Sequence, residues 1–355
     1  MDLKLLIKDM VENQAMDIFI VTGRKLSCKV HRNIKTWSES PLSPAQSEEM
    51  VRELYKLANR DITHLLEQGD DDFSFALKGV SRFRVNTYKQ RGTFAAVIRI
   101  VSFEMPDPEK LSIPTEILNL SDQYGGLVLV TGVAGSGKTT TLACILDQIN
   151  KRKNYHIISL EDPIEYLHSH QNSIVSQREI SIDTKNYVSA LRAALRQSPD
   201  VILIGELRDM ETISTALTAA ETGHYIFSAL HTLGAANAID RLVDAYPSSQ
   251  QHQIRMQLSM VLRTIVSQQL IPTVDGKVVP AFEIMHCNSA IRTLIRDGRT
   301  HQITSIIQSS ADEGMLSMDK SILNLFKEGR ITKETALTYS LSEQLLERQI
   351  DKMGN

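Results

Sequence analysis

Between an apolar run at 127–131 and a set of apolar residues at helical spacing, Leu142, Ile145, Leu146 and Ile149, lies Gly132-Val133-Ala134-Gly135-Ser136-Gly137-Lys138-Thr139. This fits the GxxxxGK[ST] pattern, and it limits the fold more than any other feature of the chain, because such a loop needs a strand to deliver it and a helix N-terminus to close it. Its glycines let successive backbone N–H groups turn inward around phosphate oxygens, and the helix end adds partial positive charge. Lys138 is expected to reach the β- and γ-phosphates, and Thr139 to place its hydroxyl on Mg²⁺. Val133, Ala134 and Ser136 complete the cradle. Thr140 is left for a neighbouring phosphate contact or for packing.

A phosphate cradle binds; cleavage also needs carboxylates that hold Mg²⁺ and orient a water. Further apolar runs at 156–160, 201–204 and 225–230 suit strands buried on both faces, which places the region in the α/β class with helices on each side of a sheet. Ligands sit at the carboxyl ends of such strands. Gly205-Glu206 follows the 201–204 run, so Glu206 reads as the Mg²⁺-linked carboxylate of a Walker B strand. A second acidic strand end, Leu160-Glu161-Asp162-Pro163-Ile164-Glu165, puts three carboxylates within five positions, and Pro163 turns the chain out of the sheet. Three together are hard to explain as mere solvation, although any one of them alone could be a surface acid on a capped loop. His231 leaves the 225–230 run, where an imidazole could sense the γ-phosphate, although lone histidines are more often satisfied structural residues. His224 carries the same ambiguity.

A length of 355 residues suggests two domains and perhaps a third small one. Lys plus Arg number 39 against 42 Asp plus Glu, a net charge of −3, which speaks against a nucleic-acid partner. Cys28, Cys144 and Cys287 form no CxxC pair, so neither a disulfide framework nor zinc is expected. Residues 1–10 scatter charges among apolar positions, and no apolar stretch approaches eighteen residues. These features lead to the expectation of a cytoplasmic protein that meets a membrane only through a partner.

Strands are expected at 17–21, 27–30, 72–78, 82–90 and 93–101, with a helix starting at Ser43-Pro44 and carrying Met50, Leu54 and Leu57. Pro106, Pro108 and Pro114 mark an interdomain linker at 102–114. Beyond the phosphate loop, 257–270 reads as one helix from the spacing of Leu258, Val261, Leu262, Ile265 and Val266. The Val274-Asp275-Gly276 turn implies a small hairpin within an otherwise helical C-terminal region.

Four segments together, GVAGSGKT, LEDPIE, LIGELRD and ALHT, resemble the secretion ATPase superfamily that powers type II secretion and type IV pili. Arg82-Phe-Arg84-Val-Asn86 and Ala219-Ala-Glu-Thr-Gly-His224 extend the likeness over nearly the whole chain. The resemblance implies a PAS-like α+β domain at 1–101, a Pro-containing linker at 102–114, and a RecA-like P-loop ATPase domain with C-terminal helices at 115–355. By position Glu165 matches the family's catalytic glutamate, Glu206 its Walker B residue and His231 its His-box histidine. Within the superfamily the short retraction motors of twitching motility are most similar: the large N-terminal extension and the zinc-binding cysteine cluster of assembly motors are absent, and Ala290-Ile-Arg292-Thr-Leu-Ile-Arg296-Asp297 looks like the retraction box. Spacing alone gives that box a plainer reading, with Ile291, Leu294 and Ile295 facing a core and Arg292 and Arg296 sharing an exposed face. Met16-Asp17-Ile18-Phe19 stands where the family has Ser-Asp-Leu-His, and Val133 where it has proline.

Strand alternation over 82–87 projects Arg82 and Arg84 from one face, with Arg99 on the next strand. In the family such arginines close over the nucleotide; a solvated polar face would look the same from sequence. Arg196, Arg208 and Arg241 could serve a pocket or a subunit interface. The family further implies a homohexamer that hydrolyses ATP, rotates its domains and acts on an inner-membrane pilus platform protein during pilus retraction. Pilus assembly or type II secretion is the alternative within the superfamily; a nucleic-acid translocase or a non-hydrolysing ring protein is the alternative outside it.

Overall fold

A computed structural model describes residues 2–30, 33–101 and 105–352. Ser102, Phe103 and Glu104, the start of the expected linker, lie outside the described residues. The chain divides into two compact units, Met1–Glu104 with Ile164–Leu167, and Met105–Pro163 with His168–Asn355.

In the first unit, β1 (Ala15–Ile20), β2 (Lys25–Val30), β3 (Asn33–Pro41), β4 (Asp70–Leu77), β5 (Ser81–Gln90) and β6 (Thr93–Val101) form an antiparallel sheet in the order β3-β2-β1-β6-β5-β4. One face is apolar. Phe83, Val85 and Ile98 pack there against Leu3, Ile7, Val51 and Leu54 from the helices Leu3–Glu12 and Pro44–Leu57. The second helix starts where its sequence signals it: Ser43 and Gln46 form a reciprocal capping box ahead of Pro44. Two elements had no clear signal. β3 is an edge strand with no buried position, so it lacks apolar alternation, and the helix Thr63–Gln68 is too short to show a period.

The second unit holds β7 (Gly126–Thr131), β8 (His156–Glu161), β9 (Ile174–Glu179), β10 (Val201–Ile204), β11 (Tyr225–Leu230), β12 (Leu262–Pro272) and β13 (Val278–His286), in the order β13-β12-β7-β11-β10-β8-β9. All neighbours pair parallel except β12 and β13. Both faces are covered, which is why β7, β10 and β11 are buried at every position and read as unbroken apolar runs. A third core, built on Ile271, Val279 and Ala281, holds the helices Met318–Lys327, Lys333–Tyr339 and Glu343–Asp351.

The helix expected over 257–270 is corrected by the structure. A helix runs Ser248–Val261 and stops; β12 begins at Leu262 and pairs with β7 on one side and β13 on the other. Apolar residues at helical spacing over so short a stretch serve a strand as well, and the place beside β7 in the sheet decides the form. The expected hairpin is thus no interruption: β12 and β13 are strands of the main sheet. Among the described residues no helix is long and apolar enough to cross a membrane.

Candidate active site

Because β7, β11, β10 and β8 are adjacent and parallel, their carboxyl ends line one edge of the sheet, each delivering one polar element. From β7 comes the loop at 132–137 and then the helix Lys138–Arg152. His231 follows β11, Gly205-Glu206 follows β10, and Glu161-Asp162 ends β8.

The loop can only be built with glycine at its bends. Gly132, Gly135 and Gly137 have φ of 147°, 74° and 88°. A Cβ on Gly132 would run into the Gln268 carbonyl and the Ser136 hydroxyl, and one on Gly137 would sit 2.8 Å from Gln268 Nε2. Around Gly135 there is open space. Lys138, buried at 7% exposure, folds back so that Nζ donates to the carbonyls of Gly132 and Val133, both at 2.9 Å, and lies 3.5 Å from His231 Nδ1. His231 Nε2 is 3.4 Å from Glu206 Oε2, and Arg208 Nε bonds the other Glu206 oxygen at 2.6 Å. That bond holds the Arg208 guanidinium above its usual pKa. The cation, imidazole and carboxylate expected from three separate motifs therefore stand in one chain of contacts.

Two observations bear on what this edge can accept. Ser136 Oγ and Glu206 Oε2 are buried without a hydrogen-bond partner, an arrangement that costs roughly 1–3 kcal/mol per group unless a ligand or water supplies the bond. The helix Lys138–Arg152 has Gly137 at its N-cap and no side-chain cap, so its first-turn amides face the glycine loop. Inward amides, a lysine, hydroxyls and a carboxylate suit a Mg²⁺-bound triphosphate.

Three contributors were not assigned to the site from the sequence. Gln268 on β12 accepts from Thr141 Oγ1 at 2.7 Å and walls the loop through its backbone carbonyl. Tyr187 places its hydroxyl 2.7 Å from where a Gly205 Cβ would lie, so a side chain here would have to displace it. Burial, and then the carboxylates Asp162, Glu206 and Glu161, push the Tyr187 phenol upward. Arg208 appeared only as one of three ambiguous arginines. A signal for Gln268 existed: Ser267-Gln268-Gln269 interrupts an apolar run with three polar residues, each of which must find a partner if the run is buried. They find Gly234 N–H, Thr141 and the Tyr339 carbonyl.

The remaining candidates separate. Glu161 is interior, accepting from Ser159 Oγ at 2.6 Å and Gln177 Nε2 at 3.2 Å. Glu165 is exposed, in the segment Ile164–Leu167 that belongs to the first unit. Arg82, Arg84 and Arg99 also belong there; Arg84 and Arg99 are cross-strand partners, and Arg99 bonds Asp17 at 3.1 Å. His224 precedes β11, hence at the opposite end of the sheet, bonded to Thr222 and to the Ala219 carbonyl. Arg292 does not share a free face with Arg296: its guanidinium donates to the carbonyls of Ser259, Met260 and Leu262, fastening the helix end to the start of β12.

The sequence model of the type II/IV secretion system protein family matches residues 1–342. The chain belongs to that family. It is 40% identical over 337 residues to a Pseudomonas aeruginosa protein described as the type IV pilus retractation ATPase PilT, covering 95% of this chain and 97% of the relative. A second relative from the same organism, the type IV pilus ATPase PilU, is 37% identical, covering 100% of this chain and 92% of the relative. A crystal structure of the pilus retraction motor PilT with bound ADP superposes with a TM-score of 0.89 at 43% identity, covering 98% of this chain and 99% of that one. This family member shares with that structure an α/β fold over both of its units.

Proposed function

We propose that this chain is an ATP-hydrolysing motor that drives retraction of a type IV pilus. The observation that carries the reading is the contact chain from Lys138 through His231 to Glu206 at the carboxyl ends of parallel strands, within a chain similar over 95% of its length to a protein described as a retraction ATPase. ATP lies on the amides over 132–138, with Lys138 at its β- and γ-phosphates and Thr140 beside them. Mg²⁺, when bound, neutralises phosphate charge; Thr139 and Glu206 are the residues to hold it. Glu206 has one oxygen committed to Arg208 and the other 3.4 Å from His231 Nε2. By their places in the family's motifs, Glu165 is the residue expected to orient the attacking water, and Arg82, Arg84 and Arg99 those expected to supply positive charge.

In this reading 1–101 is a PAS-like domain, 102–114 a linker on which it turns, and 115–355 a RecA-like motor domain with C-terminal helices. Six copies form a ring in the cytoplasm, at the inner face of the membrane through a pilus platform protein. No zinc and no nucleic acid take part. The test is deletion in the host followed by complementation. Loss should give excess surface pili without twitching, restored by the wild-type gene and not by Lys138→Ala. A deletion strain with no pili at all would overturn retraction in favour of assembly.

A further inference from the structure

Four residues, 231–234, connect β11 to the helix Ala235–Asp244, and His231 is the first of them. One end of this connection is fixed by the sheet, where Gly132 N–H donates to the Leu230 carbonyl at 3.2 Å. The other end has no cap of its own, because Gly234 occupies the N-cap. Two side chains from the sheet replace it. Ser267 Oγ accepts from Gly234 N–H and Glu283 Oε1 accepts from Ala235 N–H, each at 2.8 Å. Ser267 and Glu283 are register partners on β12 and β13, so a single rung of the sheet takes both amides.

Glu283 is 3% exposed, and its neighbours along β13, Ala281, Phe282, Ile284 and Met285, are buried apolar residues. It also accepts from the backbone of Met318, at the start of the helix Met318–Lys327, which fixes the carboxylate from a second side. Burial raises its pKa and the two amides pull it back. A buried carboxylate is a costly way to cap a helix when a local serine or aspartate would serve. Placing the cap on the sheet instead ties the far end of the His231 connection to the rigid element that also carries Gln268.

We infer that Glu283, with Ser267, is a positioning residue for His231, holding the imidazole between Lys138 and Glu206. This rests on the ATPase reading above. The experiment is steady-state ATP hydrolysis and thermal melting of the full chain as wild type, Glu283→Gln, Ser267→Ala and His231→Ala, and as Glu283→Gln and Ser267→Ala each combined with His231→Ala. Glu283→Gln keeps one acceptor and removes the charge. It should stay folded and lose about tenfold in kcat with KM for ATP within about twofold, since the loss is of alignment and not of binding. In the His231→Ala background either substitution should change kcat by less than about twofold, a non-additivity that general destabilisation does not produce. A folded Glu283→Gln with wild-type kcat, or a loss that persists in full without His231, overturns the inference. If Glu283→Gln fails to fold, Ser267→Ala decides: about a threefold loss in kcat that vanishes without His231 supports the inference, and unchanged kcat overturns it. A wild-type chain with no turnover would sink the motor reading itself, and this proposal with it.

Discussion

The two sheets of this protein handle charge in opposite ways. The antiparallel sheet of the first unit has one covered face, so its arginines stand along the middle of strands: Arg84 and Arg99 face each other across β5 and β6. The parallel sheet of the second unit is covered on both sides and pushes its chemistry to the strand ends, where Lys138, His231 and Glu206 meet. An antiparallel sheet thus spreads a charged surface, and a parallel one gathers unlike residues from distant sequence into a line. Two sets of buried polar groups also differ. In the first unit Asp71 is bonded by Arg60 at 2.8 and 3.0 Å and by Tyr55 at 3.1 Å, a closed local network that also pushes the Tyr55 phenol up to about 12, chiefly by burial. In the second unit the buried groups Ser136 and Glu206 keep atoms open.

The sharpest way to break this comparison is Lys138→Ala. Hydrolysis should fall on the order of 10³-fold or more, read as phosphate release, with melting unchanged. A variant keeping a tenth of the activity would mean that the strand-end line is not where the reaction occurs. Next is Asp71→Ala, expected to cost about 3 kcal/mol in denaturant titration, because it strands a partly buried guanidinium and a phenol. If it instead reduced hydrolysis with no loss of stability, the closed network would be functional and the contrast between the units wrong.

Gly205→Ala should cost about 2 kcal/mol by overpacking against the Tyr187 hydroxyl, and adding Tyr187→Phe should recover part of it. Additive losses in the double variant would show that the hydroxyl is not what fills the space. The smallest effect concerns pH. Burial lowers the pKa of His168 and of His286 below the ordinary 6.5, so each binds its proton more readily when unfolded. Their contribution to stability is present above 6.5 and is lost as pH falls through the lower native values. The melting temperature of the second unit should fall with acidification in that window, less steeply in His168→Asn. A flat profile would place these imidazoles in contact with water, and a slope of the opposite sign would mean that Asp147 and Glu313 outweigh burial.

Much of the second unit was legible because each feature was local. The strand ahead of Gly132, the glycine spacing and the apolar face of the following helix are all fixed by neighbours in sequence. The 201–204 and 225–230 runs were legible for the same reason, since burial on both faces leaves an unbroken apolar signal. β3 was not, being an exposed edge strand without alternation, and 262–270 was misread because an apolar run of that length serves a helix or a strand equally well. Arg292 shows the limit at one residue: helical spacing put it on an outer face, yet a long side chain reached three carbonyls at the junction of a helix and β12.

By itself the sequence determined that a phosphate loop exists, that Glu206 and His231 leave buried strands at their carboxyl ends, and that Arg82 and Arg84 share a strand face. Only the tertiary structure decided that β11 lies between β7 and β10, that Gln268 walls the loop and that Glu283 caps a helix it is nowhere near in sequence. The physical reason is range. Periodicity and backbone conformation act within a few residues, whereas strand order and the partners of buried polar groups are set by which surfaces meet, and every buried hydrogen-bonding group takes the partner that meeting provides.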